Sequence, residues 1–318
     1  MRILYGIQLT GNGHITRSVP IIRELKKLGH TVDIVTSGDK SDLEIPFDIK
    51  HHFEGVSLHY DRVGKLNIWQ TIKRARIRKL FSDSKFDCSE YDLVISDFEP
   101  VSAWSSKRYN KKSIGIGNQY NIKNLSGINR IIGKVLLNYF APTDTQIGID
   151  YLKSKGSVLP IIDENLLKHP TSDLGFYLIY LPSYSIEKIL NDFAFFPALN
   201  YKIYSNEVAK DITYKNITVL RPDRKKFSKD LLNCSGVVTA SGFSTTSEAL
   251  ILGKKLWSIP IKNHYEQEEN AKSLNKLGVF TGYLSQKNTV KWIFDYKPIE
   301  YHWNNPISDI IKIITETH

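Results

Sequence analysis

Cysteine is scarce in this chain: Cys88 and Cys234 are the only two, far apart and in no metal-ligating or redox spacing. That excludes a disulfide scaffold and a cysteine-based zinc site, and reads as two free thiols in a reducing compartment. No apolar run approaches the ~18–20 residues that a bilayer-spanning helix needs. The opening Met1–Leu9 lacks the apolar core and small-residue cleavage site of a signal peptide and reads as a first strand. Internal repeats and low-complexity segments are missing too. Acidic residues run short, with 33 Asp+Glu against 43 Lys+Arg for a net charge of +10. Between residues 62 and 82 there are seven basic side chains and no acidic one. Such a balance favours an anionic partner, whether a lipid surface, a nucleic acid or a charged glycan, and does not choose among them.

What is present is the composition of a soluble globular protein, 41% hydrophobic and 24% charged. Its 318 residues suit two domains better than one. The first half opens with a strand at Ile3–Leu9, a glycine turn, and a helix with Ile15, Val19, Ile22 and Leu25 at helical spacing, stopping at Gly29. Thr31–Thr36, Asp92–Ser96 and Ser113–Ile116 are further β runs. Leu159–Asp173 breaks the pattern with Pro, Asp, Lys and Ser and reads as a linker. The second half restarts at Phe176–Leu181 and continues through Tyr201–Tyr204, Ile217–Leu220, Gly236–Thr239 and Lys255–Ile259. After Asn305 and Pro306, a helix start, Ile307, Ile310, Ile311 and Ile314 form an i, i+3, i+4, i+7 stripe. Strands alternating with helices predict an α/β fold of two doubly wound, Rossmann-like halves, residues 1–160 and 173–304.

The most informative segment is Val237–Ala271. A β-branched run ends at Ser241-Gly242, followed by Phe243, Ser244, Thr245, Thr246 and Ser247. Thr245 and Glu248 stand in capping-box spacing, so a helix is expected to begin there. A strand, a glycine turn and a hydroxyl-lined helix start make a phosphate or diphosphate site, because free N–H groups and the helix dipole both favour negative charge. Glu266, Gln267 and Asn270 fall on the next expected helix start, within reach of the same ligand. The bland alternative is that Thr245 and Glu248 only cap a helix and Gly242 only makes a turn.

Two features of the first half complement it. Gly11, Asn12 and Gly13 lie between the first strand and first helix and are followed by His14 and Arg17. Ligands of open α/β sheets bind at the carboxyl edge of the strands, where this His falls. Asp97 ends its strand on the same edge, so its carboxylate is placed to accept a hydrogen bond from the imidazole Nδ1 and leave Nε2 free as a base. The alternatives are that His14 and Asp97 each merely cap a helix. Asp97 and Glu99 also resemble a metal-binding acidic pair, but with no neighbouring His or Cys no metal site is expected.

Val237–Ala271 resembles the donor-binding segment of GT-B glycosyltransferases, specifically the group of the UDP-glucuronosyltransferases and the bacterial peptidoglycan-precursor N-acetylglucosaminyltransferase. Gly11–Arg17 with Leu28–Val32 is similar to that group's first loop and helix, and Tyr91–Asp97 with Ala103 and Trp104 to the segment carrying the acid partner of its catalytic His. The resemblance covers roughly Met1–Gly278. It implies two Rossmann-like domains facing across a cleft, with residues 305–318 crossing back onto the first. It implies an inverting, metal-independent transfer from a nucleotide-sugar co-substrate, UDP-linked, with no other cofactor.

His14 would deprotonate the acceptor hydroxyl and Asp97 would orient it. Gly242, Ser244 and Thr245 would hold the diphosphate, with Ser241 beside them on the donor side. Glu248 would bind the ribose, and Glu266 and Gln267 the transferred sugar. Ser183 and Arg221 would lie near the phosphates and base, and Gly11, Asn12, Gly13, Arg17 and Gln119 on the acceptor side. The reaction centre is expected between the halves. Acceptor pockets belong to variable loops, here Gly55–Lys65 and Gln119–Gly133. One departure stands out: Ala240 occupies the place of a phosphate-contacting His found in many plant-type members.

The basic segment Trp69–Phe81, drawn as a helix, spreads apolar residues over a wide arc with basic groups around them. Peripheral enzymes of anionic membranes use such segments, and a core-packed helix with a solvated basic face is the alternative. The expected acceptor is a lipid-linked or cell-envelope glycan at the cytoplasmic membrane face. Rival readings are a transferase acting on modified DNA, a nucleotide-sugar epimerase and a noncatalytic nucleotide-sugar sensor.

Overall fold

The computed structural model describes residues 1–9, 12–38, 44–54, 83, 85–124, 139–194, 196–262 and 264–316. They divide into two compact units, one taking in residues up to Asp163 and again from Asn304, the other Glu164–Trp303. The boundary falls inside the stretch read as a linker.

The first unit is built on seven parallel strands: β1 (Arg2–Gln8), β2 (Thr31–Ser37), β3 (Ile49–Phe53), β4 (Leu93–Asp97), β5 (Ser113–Gly117), β6 (Thr145–Ile149) and β7 (Ser157–Val158). Their order is β3-β2-β1-β4-β5-β6-β7. β1 and β4 are buried almost throughout, as central strands covered on both faces must be, and this is why they read as apolar runs. Chain order reverses between β1 and β4, whose register sets Ile7 opposite Asp97. That reversal opens a crevice at the carboxyl ends of the two strands.

Helix α1 (Asn12–Lys27) follows β1 and α2 (Pro100–Arg108) follows β4. α1 ends where Gly29 adopts a left-handed φ of 81°. Its neighbours close a Schellman pair, His30 N–H to Leu25 O and Gly29 N–H to Lys26 O, both at 3.1 Å. Pro20 lies inside α1 and lacks an N–H, yet the helix runs on because Ile15, Ile21, Ile22 and Leu25 bury its inner face. α2 crosses β1 so closely that a Cβ on Gly6 would lie 2.1 Å from Ser102 Oγ and 2.7 Å from Glu99 Oε2.

The second unit has the strand order β10-β11-β9-β8-β12-β13-β14. Its elements, after the short helix α3 (Glu164–Leu167), are β8 (Phe176–Tyr180), α4 (Ile186–Phe193), β9 (Asn200–Tyr204), β10 (Ile212–Tyr214), β11 (Ile217–Leu220), α5 (Arg224–Asn233), β12 (Gly236–Ala240), α6 (Phe243–Ile251), β13 (Lys255–Ile259), α7 (Tyr265–Lys276), β14 (Phe280–Thr281) and α8 (Gln286–Asp295). All neighbours are parallel except the β10–β11 hairpin. The reversal here lies between β8 and β12. Phe193, Tyr201, Trp257, Phe280 and Trp292 fill one face of the sheet with an aromatic cluster. Lys255 is buried against it, its ammonium 5.0 Å from the Trp292 ring and donating to Ile293 O at 2.8 Å.

After the second unit the chain forms α9 (Ile307–Glu316), which packs on α1 of the first. Ile307, Ile310, Ile311 and Ile314 are all buried. Asn305 Oδ1 accepts the Ile307 N–H at 3.2 Å, so Pro306 precedes the first helical residue. Five strands, β3, β6, β7, β10 and β14, add to those read from the sequence. They are two to five residues long and several are polar, so no apolar run announces them.

Candidate active site

In the first unit, His14, Arg17 and Ser18 stand at i, i+3 and i+4 on α1, one face of the helix, and all three turn onto Asp97. His14 Nδ1 lies 2.8 Å from Asp97 Oδ1. Arg17 Nε donates to both carboxylate oxygens at 2.9 Å, and its Nη2 donates to Oδ1. Ser18 Oγ donates to Oδ2 at 2.7 Å. The carboxylate is fully buried and saturated with donors. Burial pushes its proton affinity up, but the Arg17 guanidinium and His14 more than reverse this, so Asp97 sits below the usual carboxylate range.

Arg17 ties the cluster to the next strand, donating from Nη1 to Asn118 Oδ1 at 3.2 Å and from Nη2 to Gln119 Oε1 at 3.5 Å. These two residues open the 3-10 turn Asn118–Asn124 that follows β5. Nη2 also lies 2.7 Å from His14 Nδ1, so Asp97, an acceptor, and Arg17, a donor, compete for the same ring nitrogen, each suiting a different tautomer. With its proton on Nδ1 the ring donates to Asp97 and leaves Nε2 as an acceptor.

Asp97 does not cap α2. Glu99 does, accepting the N–H groups of Val101 at 2.7 Å and Ser102 at 2.6 Å ahead of Pro100. The two carboxylates face different helices because Phe98 between them takes a left-handed φ of 50°. A non-glycine residue there costs about 1–2 kcal/mol. The Phe98 ring holds the turn, buried 5.0 Å from Phe140 in a stack and 5.8 Å from Tyr120 edge-on. Burial raises the Glu99 carboxyl above its ordinary value despite the N–H groups it accepts.

In the second unit, α6 begins at Phe243 with Gly242 as its N-cap and no side-chain cap bond. This corrects the capping box expected at Thr245 and Glu248: the N-cap lies three residues earlier, and Thr245 lies within the first turn. The sequence pattern misleads because Glu248 is buried and bonded elsewhere. Its two oxygens accept the guanidinium of Arg224, the first residue of α5, with Nη1 to Oε2 at 3.1 Å and Nη2 to Oε1.

The uncapped turn of α6 leaves backbone N–H groups without helical partners, and a Cβ on Gly242 would meet open space. Of the hydroxyls nearby, Thr246 and Ser247 are spent on Gly242 O and Phe243 O, while Ser244 and Thr245 are half-buried. Ser241 is buried and bonded Oγ to Oγ with Ser258 at 2.7 Å. Its carbonyl accepts Asn270 Nδ2 at 3.0 Å, which joins the start of α6 to α7.

At α7, His264 is the N-cap, its Nδ1 accepting the Gln267 N–H at 3.4 Å. Burial, opposed by Glu266, holds that ring below its ordinary value and so in the neutral form that can accept. Gln267 Oε1 in turn accepts Ile261 N–H at 3.1 Å, and Glu266 is half-buried beside it. Ser183 is exposed on the turn after β8, and Arg221 is exposed before α5 with its N–H on Asp211 at 3.1 Å.

The fold thus gathers His14, Arg17, Asp97 and Gln119 at the switch point of the first unit. Ser183, Ser241, Gly242, Ser244 and Thr245 lie at or just beyond the carboxyl ends of β8 and β12 in the second. Asn12 is exposed and Gly13 half-buried at the start of α1. Gly11, the acceptor loop Gly55–Lys65, most of Gln119–Gly133 and the basic segment Trp69–Phe81 lie outside the described residues. Sequence reasoning passed over Ser18, Asn118 and Arg224. The i, i+3, i+4 spacing of His14, Arg17 and Ser18 was available as a signal for the first. Nothing local signals the other two, which depend on sheet order and helix packing. Among the described residues no group of three His, Cys, Asp or Glu side chains is arranged to hold a metal ion. No helix among them is long and apolar enough to cross a membrane.

Comparison with known proteins agrees with this architecture. The family model of glycosyl transferase family 1 matches residues 1–134 and 146–293. An uncharacterized glycosyltransferase of Methanosarcina mazei is 26% identical over 331 residues, covering 87% of this chain and 84% of its own. Among solved structures, UGT89C1 of Arabidopsis thaliana, complexed with quercetin, has a TM-score of 0.63 at 13% identity, over 99% of this chain and 93% of its own. MurG of Acinetobacter baumannii scores 0.59 at 11% identity, over 99% of each chain. The glycosyltransferase SnogD of Streptomyces nogalater scores 0.58 at 15% identity, over 100% of this chain and 95% of its own. Two parallel α/β units, a family match across both of them and whole-length likeness to such enzymes lead to one statement: the chain belongs to glycosyl transferase family 1 and is a glycosyltransferase of the GT-B fold.

Proposed function

We propose that this enzyme moves a sugar from a UDP-linked donor to an acceptor hydroxyl with inversion, using His14 as base and no metal. The observation that carries the reading is the 2.8 Å approach of His14 Nδ1 to the buried Asp97 at the switch point of the first unit. With Nδ1 donating to Asp97, Nε2 takes the acceptor proton as its oxygen attacks the anomeric carbon. The bond from that carbon to the diphosphate breaks, and the electron pair leaves with the diphosphate. Its growing charge is met by backbone N–H groups of the first turn of α6, by the hydroxyls of Ser244 and Thr245, and by the helix dipole. Ala240 contributes nothing polar there, so the backbone carries more of the load.

Asp97 stabilises the imidazolium that forms on His14, while Arg17 keeps the buried carboxylate ionised throughout. In this reading Glu248 takes the donor ribose, Glu266 and Gln267 take hydroxyls of the transferred sugar, and Ser183 and Arg221 flank the nucleotide. The acceptor is a lipid-linked or cell-envelope glycan, a choice supported by the +10 net charge. Co-sedimentation with anionic against neutral vesicles tests that acceptor class, since loss with salt marks an electrostatic surface interaction.

Replacing His14 tests the chemistry. His14→Ala is expected to lower transfer by roughly 10²–10⁴-fold while UDP binding, measured by calorimetry, stays as in the wild type. Transfer by the variant at the wild-type rate overturns the assignment. Donor incubated alone that yields an epimer points instead to isomerisation.

A further inference from the structure

Arg17 is held on two sides and has a choice on the third. Its Nε donates to both oxygens of Asp97 at 2.9 Å and its Nη1 to Asn118 Oδ1 at 3.2 Å, which fixes the plane of the guanidinium. Among the described residues, three atoms able to accept surround Nη2, which carries only two hydrogens. They are Asp97 Oδ1, His14 Nδ1 at 2.7 Å and Gln119 Oε1 at 3.5 Å. Gly117, at the end of β5, makes the third approach possible, since a Cβ there would lie 2.7 Å from Gln119 Oε1 and 3.3 Å from Nη2.

His14 Nδ1 carries either a hydrogen or a lone pair, and each state sends Nη2 elsewhere. With the hydrogen, Nδ1 donates to Asp97. Two donors cannot share a 2.7 Å contact, so the Nη2 hydrogens then go to Asp97 and Gln119. With the lone pair, Nδ1 accepts from Nη2, the ring hydrogen sits on Nε2, and that nitrogen is no base. We propose that Gln119, acting through Arg17, selects the tautomer of His14 and so decides whether Nε2 is a base. Both are positioning residues in this scheme, for neither takes the transferred proton. This rests on the reading of His14 as the base.

No side chain has to swing away for this. One ring nitrogen releases a proton to water, the other takes one up, and Nη2 changes the acceptor it favours. The 3.5 Å contact is the loosest of the three, so it is the one that a ligand can tighten. Gln119 offers an oxygen to Arg17 in one of its two amide orientations; the other sets its NH2 against Nη2, donor on donor. An acceptor oxygen that takes an N–H of the same amide fixes the first orientation. It thereby draws Nη2 off Nδ1 and leaves Nε2 ready for the acceptor hydroxyl, so that acceptor binding and base are coupled.

Nitrogen NMR of the full chain carrying isotope-labelled histidine tests this with no substrate, the His14 signals being assigned by their loss in His14→Ala. Spectra at about pH 8.5, roughly two units above the ordinary imidazole value, show which nitrogen of a neutral ring bears the proton. Gln119 is half-buried, so replacing it leaves the core intact. Gln119→Leu removes the alternative acceptor, and Gly117→Ala wedges it from Nη2; both are expected to raise the share of rings with the proton on Nε2. Gln119→Glu keeps an oxygen in place and strengthens it, and is expected to raise the share with the proton on Nδ1. The tautomer ratio is expected to differ about tenfold between the Glu and Leu variants, with the wild type between them. A ratio constant within about twofold across Leu, wild type and Glu, or the reverse order, overturns the proposal. If the proton then stays on Nδ1 throughout, the base reading stands; if it stays on Nε2 throughout, both fall.

Discussion

Asp97 and Glu99, two residues apart and both fully buried, respond to pH in opposite senses. Asp97 is depressed in the folded state, so its contribution to stability is complete above the ordinary carboxylate range and is lost as pH falls through that range. Glu99 is raised, so the folded state holds its proton more tightly than the unfolded chain does. Its contribution is complete below the ordinary value and is lost as pH rises above it. Urea denaturation followed against pH should separate them. Asp97→Asn is expected to flatten the fall in stability below about pH 4, and Glu99→Gln to flatten the decline above about pH 4.5. Unchanged slopes in either variant would show that its carboxyl is not perturbed as described. At this scale the sequence was partly legible. The His14–Asp97 meeting could be read because each side chain follows directly from where its strand ends. The Arg224–Glu248 pair could not, since it joins two helices whose packing no local pattern encodes.

At the scale of elements, two glycines, one inside β1 and one just past the end of β12, have different reasons to be there. Gly6 lies under α2, where a methyl would strike Ser102 and the capping carboxylate of Glu99. Gly6→Ala should destabilise the first unit by about 1–3 kcal/mol in urea titrations, the usual range for overpacking. Gly242 has an ordinary φ of −70° and open space where its Cβ would go. Gly242→Ala should therefore change stability by less than about 1 kcal/mol, since the reduced freedom of the unfolded chain is opposed by the poorer N-cap that Ala makes, yet weaken UDP binding by intruding where the diphosphate approaches. A variant equally stable and equally tight for UDP would remove Gly242 from the proposed site. Element types and order were readable because the central strands are continuous apolar runs. The start of α6 was misplaced because Thr and Glu three residues apart look the same whether they cap a helix or sit inside its first turns. Short edge strands such as β10 escape for a related reason: with exposed faces they bear no hydrophobic signature.

For the whole molecule, the unit boundary does not follow the order of the chain. α9 lies beyond the second unit in sequence and packs on α1 in the first. Burying a single Ile side chain contributes about 1.5–3 kcal/mol, and α9 buries four. A chain stopped after Trp303 should show faster amide hydrogen exchange in α1 and β1, while Glu164–Trp303 keeps its protection and still binds UDP. Unchanged protection in α1 would mean that α9 is dispensable to the first unit. The isoleucine stripe was plain from its spacing, but its partner was not, because spacing says that a helix has a face to bury and never against what.

The return of α9 also bears on how the protein is made. A nascent chain is delivered from its N-terminus, and domains of most proteins complete themselves in that order. Here the first unit lacks the helix that covers α1 until the entire second unit has been translated, a wait of roughly 8–30 s at ~5–20 residues per second. The later-synthesised half can thus be finished before the earlier one. During that interval the uncovered apolar surface of α1 is what a chaperone at the ribosome exit would find.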